Sequence, residues 1–269
     1  MIRKINSKCK KILKQLTISI LFYKGKEIKM GEKTEYDHIN QIGGSVLDWS
    51  TKIEKILVEY YHKSEIKTVK SLLKDLNFKE IVDIGCGEGA WAYFYKEIGF
   101  KKLIGIDISA ERVKVAKVNG FDEIYCCNGY DLPFEDDSIE CIISNNVFVH
   151  ILQDNDKIRI FNEINRVLKK NGVFIFNFPS AKAYGLSSDT TKEHCRIMKL
   201  NSMINLIEKG NMRIEKIFPC YFLIPRIGAN PRFVNFSSKL IYPITDAFAK
   251  RFFNLNNSKV IYLRVKKNN

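Results

Sequence analysis

Val82-Asp83-Ile84-Gly85-Cys86-Gly87-Glu88-Gly89 is the stretch whose reading decides the fold. Ile81-Val82-Asp83-Ile84 is a short apolar run that stops at a glycine, the pattern of a buried parallel strand. From about Ala90 to Ile98 the spacing turns helical, so the glycines lie between a strand and a helix. Glycine at such a junction lets the backbone turn tightly and approach a ligand with no Cβ in the way. In open α/β sheets, ligands bind beyond the carboxyl ends of strands, where the strand order reverses.

Outward from this loop, the chain alternates. Upstream, apolar residues at helical spacing predict one helix over Val46–Tyr61 and a second over Ile66–Leu76. Downstream come a strand at Leu103–Ile106, a helix at Ala110–Val118 and a strand at Glu123–Cys127. A loop around Leu132-Pro133-Phe134 leads to a strand at Ile139–Ser144. A helix over Asp156–Leu168, closed by Asn171-Gly172, precedes a strand at Val173–Phe178. A helix at Asn201–Glu208, a strand at Met212–Phe218 and a last strand at Val260–Val265 complete the order. Strands alternating with helices in this way predict βαβ units and a parallel sheet covered on both faces.

The second strand ends at Asp107, twenty residues beyond the glycine loop. A carboxylate there can accept hydrogen bonds from both ribose hydroxyls of a nucleoside. That arrangement serves NAD, FAD and S-adenosylmethionine (SAM) alike.

Four ordered motifs separate them: Val-Asp-Ile-Gly-Cys-Gly-Glu-Gly at 82–89, Gly-Ile-Asp-Ile-Ser at 105–109, Leu-Pro-Phe-Glu-Asp-Asp-Ser-Ile-Glu at 132–140 and Arg-Val-Leu-Lys-Lys-Asn-Gly-Val-Phe at 166–174. With them the chain resembles class I SAM-dependent methyltransferases over Phe78–Pro179. The branch it resembles is the small-molecule one related to the ubiquinone and menaquinone methyltransferases, with a methyltransferase type 11-like domain. The resemblance implies a Rossmann-like α/β fold, a mostly parallel seven-stranded sheet with an antiparallel last strand and helices on both faces. It implies SAM as cofactor and S-adenosyl-L-homocysteine (SAH) as product, with no metal. Gly85, Cys86 and Gly87 would lie beside the methionine and ribose portion, with Asp83 near the methionine amino group. Asp107 would hold the ribose hydroxyls and Ile108 would pack on adenine. Asn128 and Gly129 would sit at the adenine edge, and Asn145 close to the methionine portion. The chain departs from the family pattern at Asn128, where aspartate is common; an amide oxygen can still accept from the adenine amino group. Glu140 replaces a common aspartate, and Lys170-Asn171-Gly172 the usual Pro-Gly-Gly.

Methyl transfer from a sulfonium asks the protein mainly for proximity and alignment. A general base is needed only for an acceptor that is protonated at working pH. His150, after the fourth strand, is the preferred candidate, with packing at a strand–helix junction as its competing reading; His194 and His38 are the others.

Composition bounds the remainder. At 269 residues, 45% hydrophobic and 28% charged, the chain suits a soluble globular protein. Its seven cysteines form no C-x-x-C pair, which argues for reduced thiols and against zinc. Residues 1–45 read as a basic extension, and 46–269 as the methyltransferase domain with substrate-side inserts at 180–199 and 219–257. The apolar run Leu16–Tyr23 is too short to span a bilayer and no small-residue cleavage pattern follows it. The second insert interleaves Phe233, Phe236, Phe248 and Phe252 with Arg232, Lys239, Lys250 and Arg251, which suits either sheet packing or peripheral membrane contact. The expected location is cytoplasmic, with membrane-surface contact through such basic aromatic segments. The leading expectation is transfer to a small-molecule, glycan or lipid-linked acceptor. A net charge of +14 makes a tRNA or rRNA methyltransferase the alternative. Against nucleic acid stand the lack of an RNA-binding module and Ser144-Asn145-Asn146-Val147 where an Asn-Pro-Pro-Tyr type tetrapeptide would be. A non-catalytic SAM-binding scaffold is the third reading, opposed by the intact loop and Asp107.

Overall fold

The computed structural model describes residues 52–192, 194–220 and 258–268, all within one of the chain's two compact units, Trp49–Asn269. The basic extension at 1–45, His38 and nearly all of the 219–257 insert lie outside the described residues.

The first described element is α1, Lys52–Leu73. Where the spacing predicted two helices there is one, because His62-Lys63-Ser64-Glu65 holds no glycine or proline to break it. Strand β1 (Glu80–Ile84) leads through the glycine loop to α2 (Ala92–Glu97), then β2 (Lys102–Asp107), α3 (Ala110–Val118) and β3 (Glu123–Cys126). Ser109 caps α3, its hydroxyl accepting from the Arg112 N–H at 3.4 Å. Next come β4 (Ile139–Ser144), α4 (Asp154–Val167) and β5 (Leu168–Pro179). A 3₁₀ turn (Lys182–Tyr184) and a small hairpin, β6 (Thr190–Lys192) with β7 (Cys195–Ile197), fill the 180–199 stretch. Helix α5 (Leu200–Lys209), β8 (Met212–Pro219) and β9 (Val260–Lys267) close the order.

The predicted helix stop at Asn171-Gly172 is displaced. Helix α4 ends at Val167 and the chain passes directly into β5, so Gly172 lies within the strand. Its lack of a side chain serves packing there: a Cβ would meet the Ile139 carbonyl at 3.0 Å and Leu168 Cδ2 at 2.9 Å.

The seven-stranded sheet has the order β3-β2-β1-β4-β5-β9-β8. β1 through β5 pair parallel, and β9 runs antiparallel between β5 and β8. Both faces are buried at the centre of the sheet, which is why β1, β2, β4 and β5 read as largely apolar runs. Val82, Ile84, Ile142, Phe174 and Phe176 face α4 and α5, packing on Phe161, Ile164 and Leu206. The alternate residues Ile81, Leu103, Cys141, Ile143 and Ile175 face the other way, onto Val69 and Leu72 of α1 and Phe94 and Tyr95 of α2. The order reverses between β1 and β4. A ligand crevice is therefore expected at the carboxyl ends of these two strands.

The Leu132-Pro133-Phe134 loop is held by α4. Arg166 donates to the carbonyls of Phe134 (2.9 Å) and Leu132 (3.2 Å) and to the Asp136 carboxylate (2.7 Å). Glu163 accepts from the Leu132 N–H at 2.8 Å. The third and fourth sequence motifs thus meet as one structural clamp beside β4.

Candidate functional site

The crevice begins at the glycine loop. The N–H groups of Gly85 and Cys86 donate to the Ile106 carbonyl at 2.7 and 3.0 Å, tying the loop to the end of β2. Gly85 has φ +77°, and a Cβ there would lie 2.2 Å from Val147 Cγ2, so the chain's own packing demands this glycine. Gly89 is likewise closed in, by Ala116 of α3 at 3.0 Å. Gly87 differs: its φ is +55°, but a Cβ would meet only Arg112 Nη1, at 3.9 Å. Of the three loop glycines, Gly87 is the one that faces open space. The Cys86 thiol is buried against Gly105; burial, then the nearby Asp83 and Asp107, raises its pKa. It stays a neutral thiol.

Asp107, at the end of β2, is buried. One carboxylate oxygen accepts from the Gly87 N–H at 2.8 Å and the other from the Ser109 N–H at 2.9 Å. Each oxygen keeps acceptor capacity. Ile108 beside it is 42% exposed, an apolar side chain in water at the rim of the crevice. The neighbouring strand brings Asn128 and Gly129 alongside, since Asp107 pairs with Cys126. Asn128 Oδ1 accepts from the Tyr130 N–H at 3.2 Å, and the Arg159 guanidinium lies 4.0 Å over the Tyr130 ring.

Asp83 lies within β1 and is 1% exposed. Tyr95 of α2 donates its hydroxyl proton to Oδ2 at 3.0 Å, while Oδ1 is buried with no hydrogen-bond partner among the described residues. Burial pushes this carboxyl up to about 7, offset by the Tyr95 bond and reinforced by the charge of Asp107. The network continues: Asn145 Nδ2 donates to the Tyr95 oxygen at 3.1 Å, and Tyr262 of β9 donates to Asn145 Oδ1 at 3.1 Å. Asp83 and Asn145 are thereby joined through a tyrosine that the sequence reading did not single out. Tyr95 sits in the aromatic run Trp91–Tyr95 and looks like core.

A second polar network lies one residue on. Asn146 has φ +60°, and its N–H donates to Asn177 Oδ1 at 2.6 Å. Asn177 Nδ2 returns a bond to Asn146 Oδ1 at 2.9 Å. Asn146 Nδ2 then donates to Glu65 of α1 at 3.3 Å. Glu65 is 6% exposed, and burial raises its carboxyl to about 7 against the lowering effect of the Asn146 bond. None of these three residues was singled out from the sequence. The available signal was Glu65 falling on the inward stripe Tyr61, Glu65, Thr68, Val69, Leu72 of α1.

His150 is half-buried in the turn after β4. Its Nδ1 is 3.1 Å from the His194 carbonyl; a carbonyl only accepts, so Nδ1 carries the proton and Nε2 is left as acceptor. Burial lowers its pKa, with the His194 carbonyl opposing, so the ring is neutral at pH 7. The hairpin is fixed to the same turn: Arg196 N–H donates to the Val149 carbonyl at 2.7 Å, and its side chain to Leu152 O at 2.8 Å and to Asp154 at 2.9 Å. Among the described residues no cluster of three or more His, Cys, Asp or Glu is placed to hold a metal. None of the described helices is long and apolar enough to cross a membrane.

Residues 82–176 match a protein family described as a methyltransferase domain. The chain is 31% identical over 149 residues to an uncharacterized protein of Methanocaldococcus jannaschii, an alignment covering 55% of this chain and 51% of that one. It is 30% identical over 165 residues to the ribosomal protein L11 methyltransferase of Dictyoglomus thermophilum, covering 58% and 46%. It spans about half the length of the first relatives it matches. Among solved structures, an S-adenosylmethionine-dependent methyltransferase from Clostridium acetobutylicum superposes with a TM-score of 0.55 at 14% identity, over 87% of this chain and 98% of that one. The fold is the Rossmann-like fold of class I methyltransferases.

Proposed function

We propose that this chain is a SAM-dependent methyltransferase whose cofactor lies across the carboxyl ends of β1, β2 and β4 and leaves as SAH. The observation that carries the reading is the meeting of the open Gly87 turn with the Asp107 carboxylate, flanked by the orphaned oxygen of Asp83. A buried carboxylate with one oxygen unpaired and no cation beside it is costly unless something cationic completes it. The methionine ammonium of SAM is such a group. The pyrophosphate of NAD or FAD would be repelled by the same carboxylate, which separates two readings that Asp107 alone leaves open.

The residues present fit the cofactor. Asp83 is assigned to the ammonium, with Tyr95 and Asn145 holding its other oxygen in place. The backbone of Gly85, Cys86 and Gly87 is assigned to the methionine and ribose portion, and Asp107 to the ribose hydroxyls. Ile108 covers adenine, with Asn128 and Gly129 at its edge. When bound, SAM supplies the methyl electrophile together with a neutral thioether leaving group. The protein's part is alignment of an in-line displacement and exclusion of water. His150, the base candidate the sequence offers, has its Nδ1 proton committed to the His194 carbonyl and is assigned here to holding the 180–199 stretch against the turn after β4.

For the acceptor we retain the small-molecule, glycan or lipid-linked class, in keeping with the resemblance to the ubiquinone and menaquinone branch. The 180–199 stretch, pinned beside the carboxyl ends of β4 and β5, is its proposed wall. The domain is assigned to 46–269, the basic extension to 1–45 and a further substrate-side or membrane-facing insert to 219–257. Calorimetry with SAH and with NAD tests the cofactor. Labelled methyl transfer from SAM into an extract, sorted into lipid, glycan, small-molecule and RNA fractions, tests the acceptor; label confined to RNA would overturn the assignment.

A further inference from the structure

The inward face of α1 changes character along its length. Toward its end it presents Val69, Leu72 and Leu73, an ordinary core stripe. Two turns earlier the same stripe presents Glu65 and Thr68, both buried. A buried carboxylate with no cation is unfavourable in a packed interior and persists where something else needs it. Among the described residues Glu65 meets an amide, Asn146 Nδ2, and no ion pair.

Position gives that carboxylate a use. Asn146 follows Asn145 directly at the end of β4, on the crevice side where the strand order reverses. Its left-handed backbone is one that asparagine adopts more readily than other residues with a side chain, and it turns the Asn146 amide toward α1. Its amide is locked by the paired bonds with Asn177, so Nδ2 is aimed at Glu65 by construction. Two of the buried carboxylates of this end, Asp83 and Glu65, are therefore held differently. Asp83 is joined through Tyr95 and Asn145 to the cofactor side, and Glu65 through Asn146 and Asn177 to the ends of β4 and β5.

Resting on the methyltransferase reading above, we infer that Glu65 is the proton acceptor for the methyl acceptor, which is a neutral nitrogen or oxygen nucleophile bearing a hydrogen. The acceptor's lone pair forms the bond to the methyl carbon. The carbon–sulfur bond breaks with its electrons left on sulfur. The acceptor's proton passes to a Glu65 carboxylate oxygen and returns to water after product leaves. A carboxyl poised close to neutrality suits this task, and burial holds Glu65 there. The other titratable or charged groups of this end are His62 and Tyr61 on α1, Asp83 on β1, Tyr95 on α2, Asp107 on β2, Tyr184 in the 3₁₀ turn, His150 after β4 and Lys259, which is buried with its Nζ 3.6 Å from the Tyr184 ring centroid. None of them is bonded to Glu65.

The test uses Glu65→Gln, whose amide oxygen can still accept from Asn146, with His150→Gln as comparator. SAH affinity is measured by calorimetry, and transfer from labelled SAM into a deproteinised metabolite extract is followed from pH 5 to 9. The inference expects Glu65→Gln to bind SAH within about twofold of wild type. At saturating SAM, where the bound ammonium keeps Asp83 ionised, it expects transfer to fall on the order of a hundredfold, with the acidic limb near pH 7 gone, and that limb to survive in His150→Gln. Equal transfer by Glu65→Gln overturns it, as does loss of the limb in His150→Gln alone. Parallel loss of SAH binding and transfer would move Glu65 into the cofactor site and also overturn it. A wild type that binds SAH yet labels nothing at any pH counts against the proton-acceptor role. A wild type that binds no SAH removes the methyltransferase reading itself.

Discussion

Replacing Asp83 by asparagine should stabilise the unliganded protein in alkali while weakening its hold on SAH. Folding moves the Asp83 carboxyl from 3.8 to about 7. Below about pH 4 both folded and unfolded states bind the proton, so there is no difference between them. Between about 4 and 7 the unfolded chain is ionised while the folded one is still protonated. Folding then takes up a proton, and stability falls as pH rises. Above about 7 both are ionised and the penalty is constant. Three pH units correspond to roughly 4 kcal/mol as an upper bound. The introduced asparagine removes the charge, keeps an oxygen for the Tyr95 hydroxyl and has no ionisation to lose. Urea unfolding at pH 5 and pH 8 reads the effect: Asp83→Asn should gain stability relative to wild type between the two by up to about 3 kcal/mol, the share of that span lying above pH 5. Some slope remains, because Glu65 titrates in the same window. Calorimetry on the same samples should show SAH affinity reduced roughly ten- to a hundredfold, the worth of a charged hydrogen bond. A difference between variant and wild type that does not change with pH, or unaltered SAH affinity, would refute the reasoning.

Further substitutions separate packing from binding. Gly85→Ala forces a Cβ to 2.2 Å from Val147 and should cost about 2–4 kcal/mol of stability in urea titrations, combining overlap with left-handed strain. Gly87→Ala meets nothing closer than 3.9 Å, so its stability loss should stay near 1–2 kcal/mol while SAH affinity drops at least as far as in Asp83→Asn. Ile108→Ser leaves the core untouched, since the side chain is 42% exposed; calorimetry should find SAH binding weakened by about 1–2 kcal/mol and an unchanged urea midpoint. Arg166→Met releases the Leu132–Phe134 carbonyls from the α4 clamp and should lower the thermal midpoint with little effect on SAH affinity once folded.

The sheet was legible because its central strands β1, β2, β4 and β5 are buried on both faces, and the glycine loop because strand, turn and helix follow each other within a few residues. The single helix α1 was misread as two, since the apolar spacing lapses at His62–Glu65. That lapse is where its inner face turns polar to meet the end of β4. Gly172 looked like a helix stop and proved to be a point of close approach to the Ile139 carbonyl. The Leu-Pro-Phe and Arg-Val-Leu motifs were recognised without their physical link, which crosses about thirty residues. The polar networks escaped entirely. Glu65 reaches Asn146 across 81 positions and Tyr262 reaches Asn145 across 117. No periodicity records such pairings; only the fold brings them together.

Titration calorimetry of wild type and Asp107→Ala with SAH addresses the nucleoside pocket most directly. The expected outcome is saturable one-to-one binding by wild type, no heat with NAD, and loss of the SAH signal in a variant that still unfolds cooperatively. A folded wild type that takes up NAD and ignores SAH would contradict the assignment of the crevice.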